Sequence, residues 1–225
     1  MSAHYSVMKK VTAVFTGTLL CSFVVMNAAS ADVLYDAFVD FEVSDGTQGW
    51  GDFTGLYTDA HQPDQTGPTS SILLASPSGG IVTSTGNLYS MSTVPTFNVQ
   101  VTSVDNTEDY TSVALQVATS SSAYTASSFA LGGATPDEFA NYQKKDAYGF
   151  TYEYYRAEWT GLNASSFYSM TMTGAPFAVH QSLAAARVDY VNTSDSSYNM
   201  QSVPEPAAFS VMVALCGLAG FRRRR

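Results

Sequence analysis

Apolar and polar residues alternate in short runs along most of the chain. Val33, Tyr35, Ala37, Val39, Phe41 and Val43 share one parity, with Asp36, Asp40 and Glu42 opposite. Phe97, Val99 and Val101 alternate in the same way, as do Val113, Leu115 and Val117. Tyr148, Phe150, Tyr152 and Tyr154 form a further run, followed by Tyr168, Met170 and Met172 and by a stretch from Leu183 to Asn192. A period of two puts every second side chain on one face of a strand, so each run predicts a half-buried β-strand. Asp45-Gly46, Pro77-Ser78-Gly79-Gly80, Gly86-Asn87, Asp105-Asn106 and Gly132-Gly133 separate the runs as turn signals. One place breaks the period. Thr135-Pro136-Asp137-Glu138 reads as an N-cap, a proline at the first helical position and a capping-box glutamate, predicting one short helix to about Lys144.

Composition agrees with strands. Residues 32–202 hold 43 Ser or Thr and are rich in Tyr, Phe and Val. Many short strands with turn punctuation predict an all-β, two-sheet sandwich. Charge is unevenly placed. Within 32–202 the cations are Lys144, Lys145, Arg156 and Arg187, against 18 carboxylates, a net of −14. A body this acidic repels a phosphate backbone, so nucleic acid is not expected as a partner. Both cysteines, Cys21 and Cys216, fall outside it, which removes disulfides and thiol chemistry from its interior.

The ends differ from the middle. Lys9-Lys10 precede an uncharged run from Val11 to Met26, and Ala29-Ser30-Ala31 follows. Basic, apolar and small-x-small segments in that order read as a signal peptide over 1–31, cleaved between Ala31 and Asp32 and recognised by Sec-type export machinery. Met8 is an alternative start. At the other end Ala207–Phe221 carries no charge. As a helix it would span about 22 Å, short of the ~30 Å hydrocarbon core, with flanking arginines able to snorkel. Arg222, Arg223, Arg224 and Arg225 should stay cytoplasmic, which leaves the preceding domain outside.

Val203-Pro204-Glu205-Pro206, the apolar span with Gly217 and Gly220, and the terminal arginine cluster together resemble the PEP-CTERM sorting signal, also catalogued as the C-terminal domain of ice-binding proteins. The resemblance covers 203–225. It implies recognition and removal of the tail near Pro-Glu-Pro by an exosortase, a membrane cysteine transpeptidase. It also implies transient anchoring in the inner membrane, then residence at the cell surface or in an extracellular matrix rich in exopolysaccharide, as in biofilms. A plain C-terminal membrane anchor is the alternative. Within the exported domain, Asp40-Phe41-Glu42 with Gly49-Trp50, and His180 to Val191, resemble the first and last strands of galactose-binding-like jelly rolls, common among carbohydrate-binding modules. That resemblance implies that first and last strands are neighbours and often share a structural calcium. The expected fold is therefore a jelly-roll-like β-sandwich over 32–202.

Ten aromatics lie between Phe139 and Tyr168. Tyr152, Tyr154, Tyr155 and Trp159 are candidates for stacking on sugar rings, since the C–H face of a pyranose matches a π surface; filling the sandwich core is the competing role. Tyr155 should point opposite to Tyr152 and Tyr154. Glu42 and Asp189 are the candidate calcium ligands, calcium favouring hard oxygens, with a solvated acidic face as the alternative. Otherwise no cofactor is expected. Catalytic residues are not expected either. Glu153 and Glu158 are five apart and so on opposite faces of a regular strand, whereas a glycosidase needs two carboxylates facing one bond. No serine-nucleophile frame, zinc cluster or phosphate loop occurs.

The sequence thus reads as a non-enzymatic exported surface or matrix protein. A carbohydrate-binding module for exopolysaccharide is the alternative, and a secreted glycoside hydrolase is a third reading. Sequencing the exported protein should give an N-terminus of Asp32-Val33-Leu34. A chain that keeps residues 1–31 would instead favour a buried N-terminal helix.

Overall fold

The computed structural model describes residues 37–200, except 77, 78, 92, 103, 105, 106, 121–123, 146–148 and 175–179. The signal peptide, the sorting tail and the single cleavage positions Ala29, Ala31 and Asp32 lie outside the described residues, as does Val33–Asp36.

The chain is mostly β, in antiparallel sheets. Among the described residues twelve strands run in order: β1 Gly46–Trp50, β2 Ser70–Ser76, β3 Gly80–Val82, β4 Leu88–Ser90, β5 Thr96–Thr102, β6 Tyr110–Thr119, β7 Phe129–Leu131, β8 Glu138–Lys145, β9 Thr151–Asn163, β10 Phe167–Thr173, β11 Gln181–Leu183 and β12 Ala185–Thr193. They form a five-stranded sheet β1-β12-β6-β9-β8, a four-stranded sheet β2-β5-β10-β7 and a small sheet β11-β4-β3. The first and last strands are neighbours, with Gly46 opposite Tyr190 and Trp50 opposite Ala186.

The expected alternation is clearest in the four-stranded sheet. Leu73 and Ala75 of β2, Phe97, Val99 and Val101 of β5, and Tyr168, Met170 and Met172 of β10 are buried. They meet Val113, Leu115 and Val117 of β6, Tyr155, Ala157 and Trp159 of β9, and Val188 of β12 in one apolar cluster. Both indoles are buried, and each N–H finds a carbonyl: Trp50 donates to His61 O and Trp159 to Ala134 O, both at 3.0 Å.

β6 departs from simple alternation, being buried on both faces over Thr111–Thr119. Its second face carries Ser112, Ala114, Gln116 and Ala118, and two chain segments lie over it. Phe38 packs against Ala118, Tyr154 and Ala185. Phe41 packs with Ala114, Val191 and Met200. Between them Val39 donates its N–H to Gln116 Oε1 at 2.8 Å and accepts from Gln116 Nε2 at 2.9 Å. The buried amide therefore pairs with a backbone unit much as a neighbouring strand would.

Two expectations need correction. The first strand does not begin near Val33 and run to Val43: among the described residues, 37–45 hold only a bridge at Phe41, and β1 starts at Gly46. Phe38 and Phe41 are three apart, and they anchor a covering segment rather than one strand face. Val43 on the supposed inner parity is exposed. The helix over 135–144 is also absent, and the segment is β8, paired with β9 from Glu138↔Glu158 to Lys145↔Thr151. A cap motif supplies about one kcal/mol, and a ten-residue helix is marginal by itself. The hairpin instead offers eight paired positions, and Tyr142 stacks on Tyr154 at 5.3 Å. Asp137, the presumed first-turn acid, accepts from Thr160 N at 2.8 Å and so pins the hairpin. The helical structure among the described residues is a single 3-10 turn at Ala126–Ser128.

The C-terminal segment crosses β9 at Gly161, whose φ is 60°. A Cβ there would collide with Ser196 O, so both the backbone conformation and the close crossing call for glycine. Replacing Gln116 with leucine should strand Val39 N–H and C=O. At roughly 1–3 kcal/mol for each unpaired group, a loss of about 2–6 kcal/mol is expected, read as a lower urea midpoint with faster amide exchange at Val39. An unchanged midpoint would mean that 37–42 is not held by this amide.

Candidate functional site

β9 distributes the expected glycan-binding aromatics to opposite faces. Tyr155 and Trp159 point into the core between the sheets, with 3% and 1% of their surface exposed. Tyr124, Phe129 and Phe139 surround Tyr155. Tyr154 is on the other face, as expected, but at 2% exposure it is covered by Phe38 and Tyr142. Rings buried to this degree have no face to offer a sugar, so these three are packing residues. Tyr152 is half-buried on the outer face, beside Tyr142. Phe150, 67% exposed, precedes β9. Lys144 Nζ stands 5.9 Å from the Tyr142 ring centroid at the same end of the β8–β9 hairpin.

The pairing of Glu42 and Asp189 around calcium is not what the geometry provides. Glu42 is exposed on the covering segment. Asp189, fully buried, already receives Thr47 Oγ1 at 2.7 Å, Arg187 Nη2 at 3.0 Å and Gln116 Nε2 at 3.3 Å, and Arg187 Nε is 2.9 Å from its Oδ2. Burial pushes the Asp189 carboxyl pKa up, while Arg187, Thr47 and Gln116 oppose that rise by favouring the ionised form. Arg187 reaches out to Asp40 at 2.7 Å. A guanidinium therefore joins the covering segment to the last strand, in the place where the resemblance implied a cation. Among the described residues, no three His, Cys, Asp or Glu side chains converge as a metal set.

A second buried carboxyl sits in the same row of the same face, Ala114 lying opposite both Asp189 and Glu158. Glu158 is 1% exposed. Its Oε1 lies 2.7 Å from Arg156 Nε without the alignment of a hydrogen bond, and neither oxygen accepts one among the described residues. Glu138 stands directly opposite on β8 and accepts from Asn199 Nδ2 at 2.5 Å. Burial raises the Glu158 pKa, Arg156 lowers it, and Glu138 raises it again, for a net rise. Glu153 lies on the opposite parity of β9, bonded by Gln143, so the two glutamates do not face one bond. The histidines are apart from these groups. His61 is buried edge-on to Phe53, and His180, at a φ of 63°, stacks on Tyr89 and bonds its hydroxyl.

The sequence reading missed Gln116, Arg187 and Arg156 as organising residues. A lone amide inside the apolar run Val113–Ala118, and the scarcity of arginine in so acidic a body, were the available signals.

No family model matches the chain, and no curated protein matches it. Among solved structures, the chain is similar to a selenomethionine-labelled β-glucosidase from Kluyveromyces marxianus at 9% identity, with a TM-score of 0.27. The match covers 67% of this chain and 17% of that one. A likeness at that score carries neither fold nor activity across.

The raised Glu158 pKa means that the folded chain holds this proton more tightly than the unfolded chain. The Glu158 contribution to stability therefore declines as pH rises from the ordinary value near 4.5 through the raised folded value. Urea unfolding at a series of pH values should show a shallower decline for Glu158→Gln than for the native chain. Identical slopes would remove Glu158 as the source.

Proposed function

We propose that this chain is a non-enzymatic exported protein, delivered to the cell surface or an extracellular matrix by its C-terminal signal. The observation that carries the reading is a succession of three sequence features: Val203-Pro204-Glu205-Pro206, an uncharged span, and Arg222–Arg225. The signal-peptide pattern at 1–31 and the cysteine-free acidic middle are consistent with it. Met200, the last described residue, is buried against Phe41 and Val191 and precedes the motif by three positions. The packed body and the sorting motif are therefore close neighbours along the chain. An exosortase-like membrane protease is the implied partner, and the inner membrane the transient location.

We read the domain as a jelly-roll-like sandwich. The adjacent first and last strands, and the shared core of the five- and four-stranded sheets, support that assignment. The buried carboxylates Asp189 and Glu158 each lie against an arginine, which favours structural over catalytic duty. Carbohydrate binding to exopolysaccharide is the second reading, supported by the exposed Phe150 ring and by the outward face of the four-stranded sheet.

Mass spectrometry of protein recovered from the cell surface should find the segment after Pro206 gone. Arg225 present on that mature protein would replace sorting with permanent anchoring.

A further inference from the structure

The outward face of the four-stranded sheet carries no charge. β2, β5 and β10 each present four outward residues and β7 presents Ala130, thirteen positions without one Asp, Glu, Lys or Arg. Nine are Ser, Thr, Asn or Gln; the apolar ones are Ile72, Leu74, Ala130 and Phe167. None of the thirteen is buried. The register sets them in rows across the strands. Ile72, Gln100 and Ser169 form one row, and Leu74, Asn98 and Thr171 the next.

Strands about 4.8 Å apart and same-face residues about 6.8 Å apart make this a regular field of hydroxyls and amides over three seven-residue strands, roughly 20 Å long. At its centre Asn98 donates to Ser169 Oγ at 2.9 Å, which ties β5 to β10 on this face. Phe167, exposed at one end, adds an aromatic surface.

Solvent-facing sheets ordinarily carry charges that discourage association. This body has ample charge, a net of −14 over 32–202, and places none of it here. An anionic partner would meet a repelling body and a face with no cation to receive it. A cationic partner would give up hydration for no counter-charge on the face. A second copy is disfavoured on two counts. Thirteen residues a side fall short of the roughly 20–30 of a stable interface, and two acidic bodies would repel. A neutral chain of hydroxyls and C–H faces meets neither objection and matches the mixture of amides, hydroxyls and apolar side chains.

We propose that the outward face of the β2-β5-β10-β7 sheet binds a neutral polysaccharide. The proposal rests on the carbohydrate-binding reading and moves its site from the β9 aromatics to the opposite sheet. The test is affinity electrophoresis of the full chain in mild detergent, in native gels containing hydroxyethylcellulose, galactomannan, dextran or alginate. Retardation is expected with at least one neutral polysaccharide and none with alginate. Gln100→Glu and Thr171→Glu, on different strands and both outward, should each weaken it by at least about tenfold, because a buried carboxylate without a counter-charge opposes binding. Both variants should keep the native unfolding midpoint. Retardation that survives both glutamates would overturn this face and leave carbohydrate binding standing. No retardation by any polysaccharide would overturn both. Retardation by alginate alone would overturn the neutral ligand.

Discussion

The fold depends on how the second face of the five-stranded sheet is closed. A central strand buried on both sides needs a covering layer, and here that layer is irregular chain rather than a helix or another sheet. Irregular chain brings unpaired backbone groups with it. Gln116 answers this by pairing both polar groups of Val39, and Arg187 ties Asp40 to Asp189. Removing one member of such a buried pair typically costs about 3–5 kcal/mol, because the other charge is left unmatched. Phe38 and Phe41 then seal the two sides of this polar strip.

The same strip explains the charge distribution. An acidic body has few cations to spend, and its two arginines are both used on buried or half-buried carboxylates of this face. The two lysines remain at the end of edge strand β8, where charge guards unpaired backbone groups against strand addition. Among strand residues, the charged side chains thus lie in the five-stranded sheet, and the opposite sheet presents neutral groups to solvent.

Much of the strand pattern could be read from the sequence because its physical cause is local. Phe97–Val101 and Tyr168–Met172 alternate since one face is buried and the other wet, and the structure pairs them as β5 and β10. The opposite parity of Tyr155 and Tyr154 followed from the pleat alone. Whether either ring was free could not follow, since that depends on Phe38, more than a hundred residues away. The segment after Pro136 failed for a similar reason: a cap motif is visible locally, whereas the β9 partner that overrides it is not. Asp189 faces β1 rather than the strand expected over 33–43, and its carboxylate is held by a guanidinium two residues away on the same strand. Periodicity also counted Val39 as apolar core, when its role in the fold is carried by its backbone.

The position of β12 has a mechanical consequence. It is the last strand, yet it is interior, with five register pairs to β1 and nine to β6. Tension on the chain beyond Met200 would first lift the short segment that crosses Gly161, and would then load β12 along its axis. Because β12 has a neighbour on each side, two ladders must slide together, and no edge is available from which it could peel bond by bond. A body tugged from its C-terminal end is therefore gripped in its strongest direction.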